Sequence, residues 1–172
     1  QGQGRLLYIA TMYPYKWNTT EIDPETMQRI ERHRAMRADK GFDTVECYRH
    51  VEHIVAKRQD VLLLECMSNL LANEMYLEPD SNAGSDMAET MSPVSNKIVQ
   101  ALIDLSTRVQ ELVIVTNDVF SDGGSLTYDE STREYVKNLA EINCALAREA
   151  ATVTEVVCGI PVIVKKNHPM GK

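Results

Sequence analysis

The chain has 172 residues, 44% of them hydrophobic, and its 25 acidic against 18 basic side chains give a formal net charge of −7. That size suits a single domain over residues 1–172 with one substantial core, and the acidity argues against a general nucleic-acid binder, whose electrostatic footprint is basic. No apolar run approaches the roughly 20 residues that span a bilayer and no signal peptide opens the chain, so a cytoplasmic location is expected.

The opening QGQG is too short for a glycine-rich phosphate loop and reads as a loop remnant. RLLYIATM follows as a short apolar run rich in strand formers, and DVLLLEC, ELVIVTND and VTEVVCGIPVIVK have the same character. Runs apolar at consecutive positions suit strands buried on both faces, as in parallel sheets covered by helices.

Helical patterns lie between these runs. DPETMQRIERHRAMR starts with Asp23 as N-cap and Pro24 at the first helical position, and puts Met27, Ile30 and Arg34 on one face. SPVSNKIVQALIDLSTRVQ repeats the logic from Ser92 and Pro93, with Val99, Leu102, Ile103 and Leu105 to Val109 as core candidates. TYDESTREYVKNLAEINCALAREAA carries Thr127 and Glu130 at capping-box spacing, then Tyr135, Leu139, Ile142 and Leu146. Strands alternating with helices of this length predict an α/β layered fold with a mostly parallel sheet and helices on both faces. EPDSNAGSDMAETMSP and SDGGS at Ser121 to Ser125 read as surface loops, the second directly after a strand, where ligands of open α/β sheets bind.

Four cysteines, Cys47, Cys66, Cys144 and Cys158, are widely spaced with no CxxC pair and read as buried thiols. His50 and His53 look like ordinary residues of an amphipathic helix, His168 sits in a polar tail, and none has a metal-ligand partner at a convincing spacing. Three strands stop on polar residues, at Thr11, at Glu65, and at Asn117 and Asp118. A hydrophobic strand ending in an acid often holds magnesium beside phosphates, although Glu65 would serve equally to cap a helix or pair with a lysine.

The densest basic cluster is RIERHRAMR, with Arg29, Arg32, Arg34 and Arg37 around His33. A histidine gains little structurally from such company but much if it meets a polyphosphate. Guanidinium forks match phosphate oxygens, and an imidazole attacking phosphorus would divide a transfer into two easier steps. The plainer alternative is a solvated helix face with Glu25 and Glu31 as partners.

Taken in order, LLYIATMYP, RIERHRAMR, GFDTVEC, VLLLECMSNLLANEM, LVIVTNDVFSDG, EINCALAREA and TEVVCGIPVIVK resemble the bifunctional adenosylcobinamide kinase and adenosylcobinamide-phosphate guanylyltransferase family of cobalamin biosynthesis. The resemblance covers nearly the whole chain. It implies a P-loop-type α/β fold, phosphorylation of adenosylcobinamide by ATP or GTP, and transfer of GMP from GTP to the resulting phosphate, with Mg2+ as cofactor and a homotrimeric assembly. In that family the histidine of RIxxH carries GMP as a phosphoramidate, here His33. By motif, Thr11, Met12 and Tyr13 would follow the strand that approaches the nucleotide, Arg34 and Arg37 would line its site, and Glu46 and Glu65 would serve guanine or magnesium, the sequence not deciding which. A carboxylate accepting the ring N–H and amino group of guanine would favour GTP.

Departures from the family pattern are Asp118 in place of Glu, Cys144 after Asn143 in place of Gln, and above all the lack of GxxxxGK[ST] in these 172 residues. Such a loop supplies a lysine and backbone N–H groups to the β- and γ-phosphates. We expect about 25 upstream residues, a strand, loop and helix at ordinary lengths, to lie outside this sequence rather than to have been lost. A second expectation, from another class, is a non-catalytic nucleotide- or corrinoid-binding subunit.

Overall fold

Leu6–Ala10 form β1, in which Leu7, Tyr8 and Ile9 are buried, and the chain then alternates helix and strand through most of its length. The structure, a computed structural model, describes residues 4–17, 19–77, 91–119 and 128–167. Helix α1 (Pro24–Arg37) leads to β2 (Phe42–Glu46), and a single 3-10 turn (Val51–His53) precedes β3 (Val61–Glu65). Then come α2 (Met67–Tyr76), α3 (Pro93–Thr107), β4 (Glu111–Val115), α4 (Glu130–Glu149), β5 (Thr152–Val157) and β6 (Ile160–Lys166). The first four strands form a parallel sheet in the order β2-β1-β3-β4. This is the expected α/β fold, with its helix-flanked parallel sheet.

Side chains alternate across a strand, so register decides which residues share a face. Leu7 lies opposite Leu62 and Ile9 opposite Leu64, and these four join α2, α3 and α4 in the core with Met67, Leu70, Leu102, Leu105, Leu139 and Ile142. Each fully buried leucine or isoleucine there contributes roughly 1.5–3 kcal/mol. Tyr8 points to the other face, where the guanidinium carbon of Arg37 on α1 stacks 3.6 Å from its ring centroid. Helices therefore cover both faces. α1 buries none of its own residues, although Asp23 caps it through the Thr26 N–H and Pro24 starts it as expected.

The ends of the strands opposite the site are tied through Asp60, whose side chain is 1% exposed. It accepts from the Arg5 N–H (3.0 Å), the Arg5 guanidinium (2.6 Å) and the Lys57 N–H (2.8 Å), while its carbonyl accepts from the Gln110 N–H. The Arg5 guanidinium first, then these N–H groups, hold the carboxyl well below the usual carboxylate range against the opposing effect of burial. A depressed folded-state value contributes stability that is present above the unfolded value near 4 and lost as pH falls towards the folded value. Asp60→Asn is therefore expected to lower the melting temperature at pH 7 and to flatten its fall below about pH 5, read from melting curves against pH. At the same corner a Cβ on Gly4 would lie 1.8 Å from the Gln59 carbonyl oxygen, so only glycine lets β1 start so close to β3.

Several expectations are corrected. VTEVVCGIPVIVK is not one doubly buried strand but the antiparallel pair β5–β6, turned at Cys158 and Gly159 and largely exposed. Both turn residues have positive φ, +50° and +81°, the geometry of a two-residue hairpin turn. β4 alternates between half-buried and exposed because it is an edge strand of the four-stranded sheet. Cys144 and Cys158 are exposed rather than buried, and Cys47 and Cys66 are half-buried. Burial, with Glu52 and Glu74 nearby, pushes the Cys47 thiol up to about 11 and keeps it protonated. His50 and His53 belong to no amphipathic helix, because His50 has φ +57° and starts the Val51–His53 turn.

Val99, Leu102, Leu105 and Val109 are buried as expected, as are Leu139 and Ile142, while Ile103, Tyr135 and Leu146 are partly buried against the same core. α4 is capped by Asp129, which accepts from the Thr132 N–H. Thr127 of the expected capping box, most of the EPDSNAGSDMAETMSP segment, the SDGGS segment and His168 lie outside the described residues. Among the described residues, no helix is long and apolar enough to cross a membrane.

Candidate functional site

Ile30, His33, Arg34 and Arg37 are spaced i, i+3, i+4 and i+7, which makes one stripe along α1. This stripe faces the sheet, yet three of its four residues are polar, which explains a helix without a buried residue. Opposite it, register places Ala10 beside Glu46 on β2 and beside Glu65 on β3. All three end their strands on the face that carries Tyr8. Stripe and strand ends enclose one pocket at the carboxyl edge of the sheet, also lined by Met12, Tyr48, Cys66 and Asn69. Ligands of parallel α/β sheets bind at this edge.

Each acid is held by a phenol. Tyr8 donates to Glu65 Oε2 (2.7 Å) and Tyr48 donates to Glu46 Oε2 (2.8 Å). Burial first, then the neighbouring carboxylate, pushes both phenols far above their ordinary value, so they remain protonated donors. Glu46 Oε1 accepts from Arg34 Nη2, and Glu65 Oε1 lies 3.7 Å from His33 Nδ1. The imidazole thus turns Nδ1 to the carboxylate, which leaves Nε2 as the nitrogen not facing that acid. Arg37 reaches Thr44 Oγ1 at 3.4 Å, and its Nε is shielded from solvent without a hydrogen-bond partner among the described residues. The pocket therefore pairs fixed acceptors with guanidinium donors around one imidazole.

A family model described as CobU, cobinamide kinase / cobinamide phosphate guanyltransferase, matches residues 1–164. The chain belongs to the CobU family. No curated protein matches the chain. Membership makes this CobU-family chain a kinase and guanylyltransferase of cobalamin biosynthesis, with cobinamide and nucleotides as its substrates.

Of the residues singled out in the sequence, His33, Arg34, Arg37, Glu46, Glu65 and Met12 line one pocket of the CobU-family fold. Thr11 and Tyr13 do not. Thr11 is fully buried, donating to the Cys66 carbonyl (2.9 Å) and accepting from the Cys66 N–H (2.8 Å), so it fixes the turn after Glu65. Tyr13 packs edge-on against Tyr48 and Tyr15, supporting the phenol that holds Glu46. Asn117 accepts from Ser68 at the start of α2 and is not part of the pocket lining.

Sequence reasoning passed over Tyr8, Tyr48 and Asn69. Tyr8 precedes Ala10 by two residues and Tyr48 follows Glu46 by two, a spacing that would have signalled a shared strand face for the first. It also missed that His50, Glu52 and Glu74 converge, with ligand atoms within 4.8 Å of one another. The Lys97 ammonium sits among them, 3.0 Å from Glu74, 3.1 Å from His50 Nδ1 and 3.7 Å from Glu52. That cation gives the cluster a structural role, bracing the Val51–His53 turn against α2 and α3.

Proposed function

We propose that His33 carries GMP between GTP and adenosylcobinamide phosphate, and that the same pocket receives the nucleotide when adenosylcobinamide is phosphorylated. The observation that carries this reading is the imidazole directed by Glu65 through Nδ1 and flanked on its helix by Arg34 and Arg37. Nε2 attacks the α-phosphorus of GTP. An N–P bond forms as the bridging P–O bond breaks, and the electron pair leaves with pyrophosphate. A phosphate oxygen of adenosylcobinamide phosphate then attacks the same phosphorus, the N–P bond breaks with its pair returning to His33, and adenosylcobinamide-GDP results.

Glu65 offsets the positive charge that the ring gains while it carries phosphorus, and the guanidinium groups stabilise charge on the phosphoryl oxygens. Glu46, fixed by Arg34 and Tyr48, keeps acceptor capacity for the ring N–H and amino group of guanine. Magnesium takes one or two carboxylates plus substrate phosphates, and Glu65 offers one such oxygen, so these residues fit an ion that arrives with the nucleotide and neutralises its phosphates. The homotrimer, the cytoplasmic location and ATP as a kinase donor are part of the same proposal and rest on the family.

The test is intact-protein mass spectrometry before and after incubation with GTP and magnesium. A GMP-sized, acid-labile increment on His33 supports the carrier, and no increment in a chain that includes the upstream phosphate loop overturns it. Tyr8→Phe removes the phenol that fixes Glu65, so the increment is expected to form about tenfold more slowly, in keeping with the roughly 1.5–3 kcal/mol of a hydrogen bond to a charged group. A rate within twofold of wild type would show that Glu65 needs no such anchor.

A further inference from the structure

Among the described residues, every polar side chain around the His33 pocket but one has a partner. Tyr8 and His33 meet Glu65, Tyr48 and Arg34 meet Glu46, Arg37 meets Thr44, and the Cys66 thiol lies 3.0 Å from Ser68 Oγ. Asn69, half-buried in the same lining, has no side-chain hydrogen-bond partner among the described residues. We propose that Asn69 is a catalytic residue of guanylyl transfer, its Nδ2–H donating to one non-bridging oxygen of the phosphorus that His33 carries. The inference rests on the carrier reading above and adds a group which that reading does not use.

The enclosed part of the pocket is about 50 Å3. At about 10–15 Å3 for each water-sized atom it holds roughly four, the number of oxygens around one phosphorus. The rest of the nucleotide then extends through the mouth, where the Arg34 and Glu46 side chains are about half exposed. Asn69 shares this small space with His33, so a phosphoryl group on the imidazole meets the carboxamide. The backbone beneath Asn69 is fixed. It is the third residue of α2, its neighbours Met67, Leu70 and Leu71 are fully buried, and the Ser68 carbonyl accepts from the Tyr135 hydroxyl (3.1 Å). A donor held in place before charge develops costs no reorganisation during the reaction. A carboxamide also suits this position better than either charge. A carboxylate would repel both Glu65 and the phosphate, and an ammonium would draw Glu65 away from His33, whereas an amide donates without a net charge.

The probes are GTP and GTPαS, in which sulfur replaces one or the other non-bridging oxygen at the α-phosphorus, given with magnesium to a chain that includes the upstream phosphate loop. Adduct formation on His33 is timed by rapid quench and mass spectrometry, and thermal melts check that each variant is folded. With saturating GTP, Asn69→Ala is expected to slow the adduct about a hundredfold, the cost of losing one such donor, and Asn69→Asp, which keeps the shape, at least as much. Sulfur accepts hydrogen bonds poorly, so wild type should discriminate between the two GTPαS diastereomers by about tenfold more than Asn69→Ala does. A merely structural asparagine would leave that ratio unchanged. A rate within threefold of wild type in either folded variant, or the same diastereomer ratio in wild type and Asn69→Ala, would overturn the assignment. No adduct in wild type fails the carrier and Asn69 with it, while a wild-type adduct that the variants form equally fast fails Asn69 alone.

Discussion

His33→Ala is expected to abolish the GMP adduct and to lower guanylyl transfer by at least roughly a thousandfold, since removing a nucleophile deletes the covalent route and leaves only binding and charge stabilisation. The fold should not notice. The His33 side chain is 38% exposed on a helix that buries no residue, and surface substitutions of that kind usually shift stability by no more than about 0.5 kcal/mol. Mass spectrometry with GTP and a thermal melt on the same sample separate the two outcomes. Transfer near the wild-type rate in a correctly folded variant would remove His33 from the mechanism and favour a pocket that only binds nucleotide.

Asn73→Ala is expected to be the most destabilising single change near the site. Asn73 is 4% exposed, and its amide donates to the carbonyls of Thr11 (2.8 Å) and Tyr48 (2.9 Å). One side chain on α2 thus fastens the segments that leave β1 and β2. Its removal leaves two acceptors unpaired at a cost of about 1–3 kcal/mol for each that stays buried, so a loss of about 2–4 kcal/mol is expected from urea unfolding. Tyr48 would also be freed, so guanylyl transfer should fall even at temperatures where the variant is folded. A loss below about 0.5 kcal/mol would mean that water replaces the amide without penalty.

The site was more legible than its supports. RIERHRAMR stood out because a helix repeats about every 3.6 residues, and that period brings Ile30, His33, Arg34 and Arg37 to one side without knowledge of anything else. Glu65 was visible as an acid closing an apolar run. Tyr8 was not, because a tyrosine inside such a run resembles any core residue until register sets it two places before Ala10, on the face opposite Leu7 and Ile9. The family resemblance alone sets Thr11 beside the nucleotide, whereas its hydroxyl is consumed by the backbone of Cys66, a partner 55 residues away that no local pattern announces. The hairpin was missed for a local reason: two residues, Cys158 and Gly159, reverse a chain whose apolar character continues unbroken on both sides.

The alanine that closes β1 gives the pocket a gauge. Ala10 stands between Glu46 and Glu65 in register, so the two acids are mounted two strands apart, about 10 Å at the backbone. Between them is a side chain of a single carbon. That span is set by main-chain hydrogen bonding, which keeps neighbouring strands at a nearly constant spacing whatever residues they carry. The slot consequently sorts ligands by width before it sorts them by charge, and it cannot be retuned gradually. A larger residue at position 10 closes the notch, and a one-residue slip of β1 turns Ala10 to the core and brings a neighbour in its place. Variation in ligand choice among chains built this way must therefore come from the side chains on either bank, while the breadth of the channel stays fixed by the sheet.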